Sequence, residues 1–86
     1  MATAEYHDGW MELAAAIVGQ ACKDYVRALV GRHQHPDKPK HAQDIKECER
    51  FFKSSWYEML CDVDGQLLMR KLRHMAAETI RQKEVS

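Results

Sequence analysis

Residues 41–61 read HAQDIKECERFFKSSWYEMLC, and this stretch decides the fold. Its first half is helical by spacing. Ala42, Ile45, Cys48 and Phe52 recur at three- and four-residue steps and make one apolar stripe. Asp44, Lys46, Glu47, Glu49, Arg50 and Lys53 fill most of the remaining surface, as on a helix with one face against a core. Ser54-Ser55 then interrupts the pattern. Ser55 followed by Glu58 has capping-box spacing, in which the serine hydroxyl takes a backbone amide and the carboxylate reaches back. Two readings stand here. Either a kink is followed by a short restarted helix over Trp56 to Cys61, or one helix runs unbroken through both serines.

Upstream, residues 31–40 (GRHQHPDKPK) carry both prolines and no large apolar side chain, so they read as a surface loop. The second helix starts near Pro39, since proline is tolerated in a first turn. Before the loop, Trp10, Leu13, Ala14, Ile17, Ala21, Tyr25 and Leu29 mark the buried stripe of a helix over about Gly9 to Val30. Val18, Cys22 and Val26 widen it. Asp8 reads as its N-cap and Gly31 as its C-terminal glycine. Downstream, Asp62-Val63-Asp64-Gly65 reads as a turn, with Asp64 capping a last helix over about Gln66 to Gln82. The expected core positions of that helix are Leu68, Leu72, Met75, Ala76 and Thr79, with Met69 and Ile80 alongside.

No stretch alternates with period two for long enough to make a strand. The expected fold is all-α: a single domain over residues 1–86, a compact three-helix bundle, with a short fourth helix between helices 2 and 3 on the kinked reading. Residues 1–8 are expected to be a flexible N-terminus. A chain of 86 residues buries only about 60% of its unfolded surface and gains from a partner or a second copy.

Thirteen basic residues balance thirteen acidic ones, which excludes a uniformly charged mimic or polyanion binder. The balance is uneven along the chain. Residues 66–83 hold Arg70, Lys71, Arg73, Arg81 and Lys83 against Glu78 alone, while residues 44–64 hold six acids against three bases. Arg70, Arg73, His74 and Arg81 share the face opposite the expected core stripe. With Lys38 and Lys40 from the loop they form the candidate nucleic-acid contacts. The competing expectation is a polar outer face paired with the acidic second helix.

No cofactor, metal or catalytic site is expected. The histidines His33, His35 and His41 cluster, but Cys22, Cys48 and Cys61 lack the paired spacing of a zinc site and fall on apolar stripes. Three widely spaced cysteines are a poor disulfide framework and fit a reducing compartment. Asp62-Val63-Asp64-Gly65 fails as a calcium loop, because Leu60 and Lys71 would fall at the first and last ligand positions. Cys48 or Cys61 with a distant histidine makes a weak dyad, since an apolar surrounding leaves a thiol inert. No glycine-rich phosphate loop or nucleophile elbow occurs. The first eight residues have no basic region of a signal peptide, and no apolar run reaches the roughly 20 residues of a membrane span. A cytoplasmic protein without membrane contact is expected.

Phe51, Phe52, Trp56 and Tyr57 are four of the seven aromatic residues. Adjacent residues on a helix cannot share one core line, so part of this run is peripheral unless the break at Ser54-Ser55 folds it back. Peripheral aromatics anchor interfaces. The candidate partner-binding residues are Phe51, Trp56 and Tyr57, ringed by Glu47, Glu49 and Arg50.

Gln20 to Leu29, Glu47 to Trp56, Asp64-Gly65 and Leu67 to Arg73 resemble small proteins from phages and mobile elements of gut Firmicutes. Glu47-Cys48-Glu49-Arg50-Phe51-Phe52 is the most specific block of that likeness. The resemblance carries no activity and no site residues. It implies a context in which small accessory proteins work by binding. The expectation is a non-enzymatic phage or prophage protein that binds a host or phage protein. It would act in the bacterial cytoplasm, in the manner of an anti-CRISPR or other anti-defence inhibitor, with a homodimer in view. The alternative is a small nucleic-acid-binding accessory protein.

Overall fold

A computed structural model describes the backbone of residues 2–85 and the side chains of residues 9–84. The chain forms α1 (Ala2–Gln34), α2 (Pro39–Phe52), α3 (Ser55–Leu60) and α4 (Gly65–Val85), with no strand among the described residues. The fold is an all-α bundle of three long helices with a short fourth between the second and the last.

The kinked reading is the one the chain adopts. Ser54 leaves the helix with extended backbone and caps α3. Its Oγ accepts from the Tyr57 amide at 3.2 Å and donates to the Phe51 carbonyl at 2.6 Å. One hydroxyl therefore satisfies a free donor at the start of α3 and adds a second bond to the Phe51 carbonyl at the end of α2, which also accepts from the Ser54 amide at 3.1 Å. The cap is Ser54 and not Ser55, so Tyr57 rather than Glu58 takes the third helical position and no capping box forms.

Both ends of α1 differ from expectation. The helix begins at Ala2, which places Asp8 within it rather than at its cap, and it continues through Gly31 to Gln34. The connection to α2 shrinks to residues 35–38, closed by the His35 amide on the Gly31 carbonyl and the Lys38 amide on the His35 carbonyl. Gly31 serves packing instead of termination. A Cβ there would lie 2.6 Å from the His41 ring, so the missing side chain lets His41 rest against α1. Asp64 caps α4 as expected, accepting the Gln66 amide at 2.8 Å.

α2 runs antiparallel to α1, since His41 meets Gly31 while Phe52 meets Tyr25. α4 turns back again and lies parallel to α1. Gly65 packs against Phe52 near one end, Arg73 faces Glu49, and Glu84 reaches His33 at the other end. The core comprises Tyr25, Ala28, Ile45, Phe52, Tyr57, Met69 and Leu72. Ile45 and Phe52 match the stripe read for α2. On α4 the buried line is Met69, Leu72 and Ala76, while Met75 is exposed. The helix is rotated toward Met69, because its first residue is seated against the end of α2.

α1 is longer than anything that packs on it. At 1.5 Å per residue a helix of this length spans about 50 Å, and the longest dimension of the molecule is 52 Å. The radius of gyration is 15.4 Å, against roughly 12 Å for a globular chain of this size. The expected core positions Trp10 and Leu13 lie on the overhang and stay exposed. No helix among the described residues is long and apolar enough to cross a membrane.

Candidate protein-binding surface

The aromatic run divides by direction at the serine cap. Phe52 and Tyr57 are buried, and Phe51 is half-buried against the core. Their rings meet edge to face, with centroids 5.6 Å apart for Phe52 and Tyr57 and 5.7 Å for Phe51 and Tyr57. The Tyr57 hydroxyl donates to the Val63 carbonyl at 2.8 Å, fastening the turn before α4. Burial, and next a hydrogen bond with Cys61, pushes the Tyr57 phenol well above its ordinary value. Tyr57 is 1% exposed, so it is a core residue and not an anchor. Phe51 is likewise committed to the core edge.

Trp56 is different. It follows the extended Ser54 by two residues and precedes an inward-facing tyrosine, so it points out of the bundle and is 45% exposed. Its ring meets Trp10 edge to face, with centroids 6.4 Å apart and planes at 74°. Trp10 stands on the part of α1 beyond the main bundle. Around this pair Met11, Leu13 and Met59 are exposed, Met59 by 67%. A groove of about 430 Å³ between α1 and α3 adjoins the pair, floored by Ala14, Val18, Leu60 and Cys61. Several large apolar side chains thus lie together at one end of a small protein, the usual mark of a contact surface. Trp10, Met11, Leu13 and Met59 are absent from the sequence-derived candidates. The signal was the length of the α1 pattern, which exceeds what the other helices can cover.

The polar residues expected around the aromatics go elsewhere. Glu49 Oε2 accepts from the Tyr25 hydroxyl at 2.7 Å and lies 3.9 Å from Arg73 Nη1. It joins α1, α2 and α4 at the half-buried edge of the core. Burial first, and then this hydrogen bond, pushes the Tyr25 phenol up to about 12. Glu47 sits in the cleft between α1 and α2 beside Asp24 and Lys40, with Gln43 Nε2 at 3.4 Å. Arg50 is exposed.

The candidate nucleic-acid residues are exposed, but acids interrupt them. Arg73 faces Glu49 at 3.9 Å, and Glu78 is 2.9 Å from Arg81 and 4.0 Å from His74. The pairing of α4 with the acidic second helix is realised in Arg73 and Glu49. Lys38 and Lys40 lie at the α1–α2 connection, toward the end of the bundle away from Arg70. The six positions do not form one continuous cationic track.

The three cysteines are free and half-buried. The Cys22 thiol is pushed up by burial and then by Cys61, and the Cys48 thiol by burial and then by Asp24 and Asp44. Both shifts favour the protonated, weakly nucleophilic form. His35 and His41 stack with centroids 6.4 Å apart, while His33 bonds Glu84 at 2.8 Å. Among the described residues no group of three or more His, Cys, Asp or Glu could hold a metal ion. Compared with protein-family models, curated proteins and solved structures, the chain matches none.

Proposed function

We propose that this chain is a non-enzymatic protein-binding module that docks through the end of the bundle formed by α1 and α3. The observation that carries the reading is the exposed pair of Trp10 and Trp56 with Met11, Leu13 and Met59 around it. Tryptophan anchors supply large contact area for few lost rotamers, and an apolar surface free of charge at its centre suits a protein partner better than phosphate. The mechanism is occlusion: the module covers a functional surface of its target. The resemblance to small phage proteins makes a host defence nuclease the target class to try first.

The test compares captured proteins between the wild type and a Trp10→Ala, Trp56→Ala variant, with Arg70→Glu, Arg73→Glu as the charge control. Affinity capture from a bacterial lysate is read by quantitative mass spectrometry. The expected result is a partner held by the wild type and the charge variant and lost by the tryptophan variant, whose circular dichroism is unchanged. A partner that survives loss of both tryptophans, or one lost only with the charges, would overturn the reading. The second outcome, joined to a gel shift that weakens steeply with salt, would instead favour nucleic acid.

A further inference from the structure

A different surface carries a second kind of recognition. Between the C-terminal half of α1 and the outer side of α4 runs a groove of about 570 Å³. Val26 and Val30 from α1 and Leu72 and Met75 from α4 form its apolar floor. Lys23 and Arg27 on one bank and Lys83 on the other place cations along its rim, and no Asp or Glu lines it. This one-signed rim stands in a chain whose net charge is zero. Arg27 lies 3.7 Å from Asp24, an exposed ion pair that is worth little and leaves the guanidinium able to take another anion. Met75, at the α4 edge of that floor, is 55% exposed. Methionine is flexible and polarizable enough to fold over an alkyl chain.

Size decides between occupants of this chemistry. The α1 bank from Cys22 to Gln34 is about 18 Å long at 1.5 Å per residue. A protein partner needs roughly 800 Å² on each side for a stable interface, which a groove this short does not offer. Its volume falls within the roughly 300–1,000 Å³ of small-molecule sites.

We propose that the groove binds a fatty carboxylate, with the carboxylate at Lys23 and Arg27 and the alkyl chain along Val26, Val30, Leu72 and Met75. The site is independent of the tryptophan surface. Its test is a fluorescence titration of the full chain with dansyl-labelled undecanoate, followed by displacement with decanoate and with decanol. Saturable binding is expected, displaced by decanoate and far less by decanol. A Lys23→Glu, Arg27→Glu variant is expected to bind at least about tenfold more weakly, the scale of a lost charge-assisted contact, with an unchanged thermal midpoint. The Trp10→Ala, Trp56→Ala variant is expected to bind normally. Equal displacement by the alcohol, or wild-type affinity in the charge variant, overturns the proposal. Loss of binding only in the tryptophan variant also overturns it, by placing the probe at the other surface.

Discussion

Gly19 and Gly65 both occupy helices, yet alanine has opposite consequences at the two. A Cβ on Gly19 meets nothing within 4 Å. Alanine there removes the entropic cost of a helical glycine and should stabilise by about 0.5–1 kcal/mol. A Cβ on Gly65 would collide with the Phe52 carbonyl oxygen, which is backbone and cannot swing aside. Alanine there should destabilise by about 1–3 kcal/mol despite its better propensity. Thermal melts of Gly19→Ala and Gly65→Ala should shift in opposite directions. A common direction would show that α4 is not seated on the end of α2. Sequence alone placed Gly65 in a turn and left its contact unseen, because the contact joins two residues brought together only by the α3 detour.

Among the elements, α3 depends most on one side chain. A six-residue helix is far below the length at which helices are stable alone. Ser54 Oγ donates to the Phe51 carbonyl at the end of α2 and accepts from the Tyr57 amide in the first turn of α3. Ser54→Ala should therefore cost about 1–2 kcal/mol, the upper part of the range for an N-cap, while Ser55→Ala should be nearly neutral. Chemical denaturation of the two variants checks this, and equal losses would return the cap to Ser55. The sequence offered the break as one of two readings, beside an unbroken helix through both serines. The register of the break was not legible, because two adjacent serines offer the same chemistry and the inward pull on Tyr57 chooses between them. That one-residue choice also sends Trp56 outward, and the candidate site follows from it.

The whole bundle is tied by two tyrosines whose hydroxyls stay protonated. Tyr25 links α1 to Glu49 of α2 and, through that carboxylate, to Arg73 of α4. Tyr57 links α3 to the turn before α4. Tyr25 is raised from 10.0 to about 12, and Tyr57 is raised as well. A folded-state value above the unfolded one means that the contribution to stability is complete below pH 10.0. It is then lost as pH climbs toward about 12. The raised Cys22 and Cys48 thiols act in the same direction and start the loss above their ordinary value of 9.0. Cooperative unfolding is expected in the alkaline range, with tyrosinate absorbance appearing together with the loss of helical circular dichroism. Tyrosinate absorbance that rises before the helix signal falls would show that these hydroxyls are not held by the fold.

The sequence by itself determined the helical class, the stripe of α2 and the capping of α4 by Asp64, while it left the break at the two serines open. Each of those three follows from spacing and local backbone chemistry within one or two helical turns. Only the tertiary structure decided which apolar residues of α1 are core and which are surface, because periodicity marks a face and does not say whether a neighbour is long enough to cover it. It also decided that Tyr57 is core and Trp56 surface, that Glu49 links three helices, and that Lys23, Arg27 and Lys83 share the rim of one groove. Those assignments depend on the rotation of each helix about its axis, which is set by contacts between residues distant in the chain.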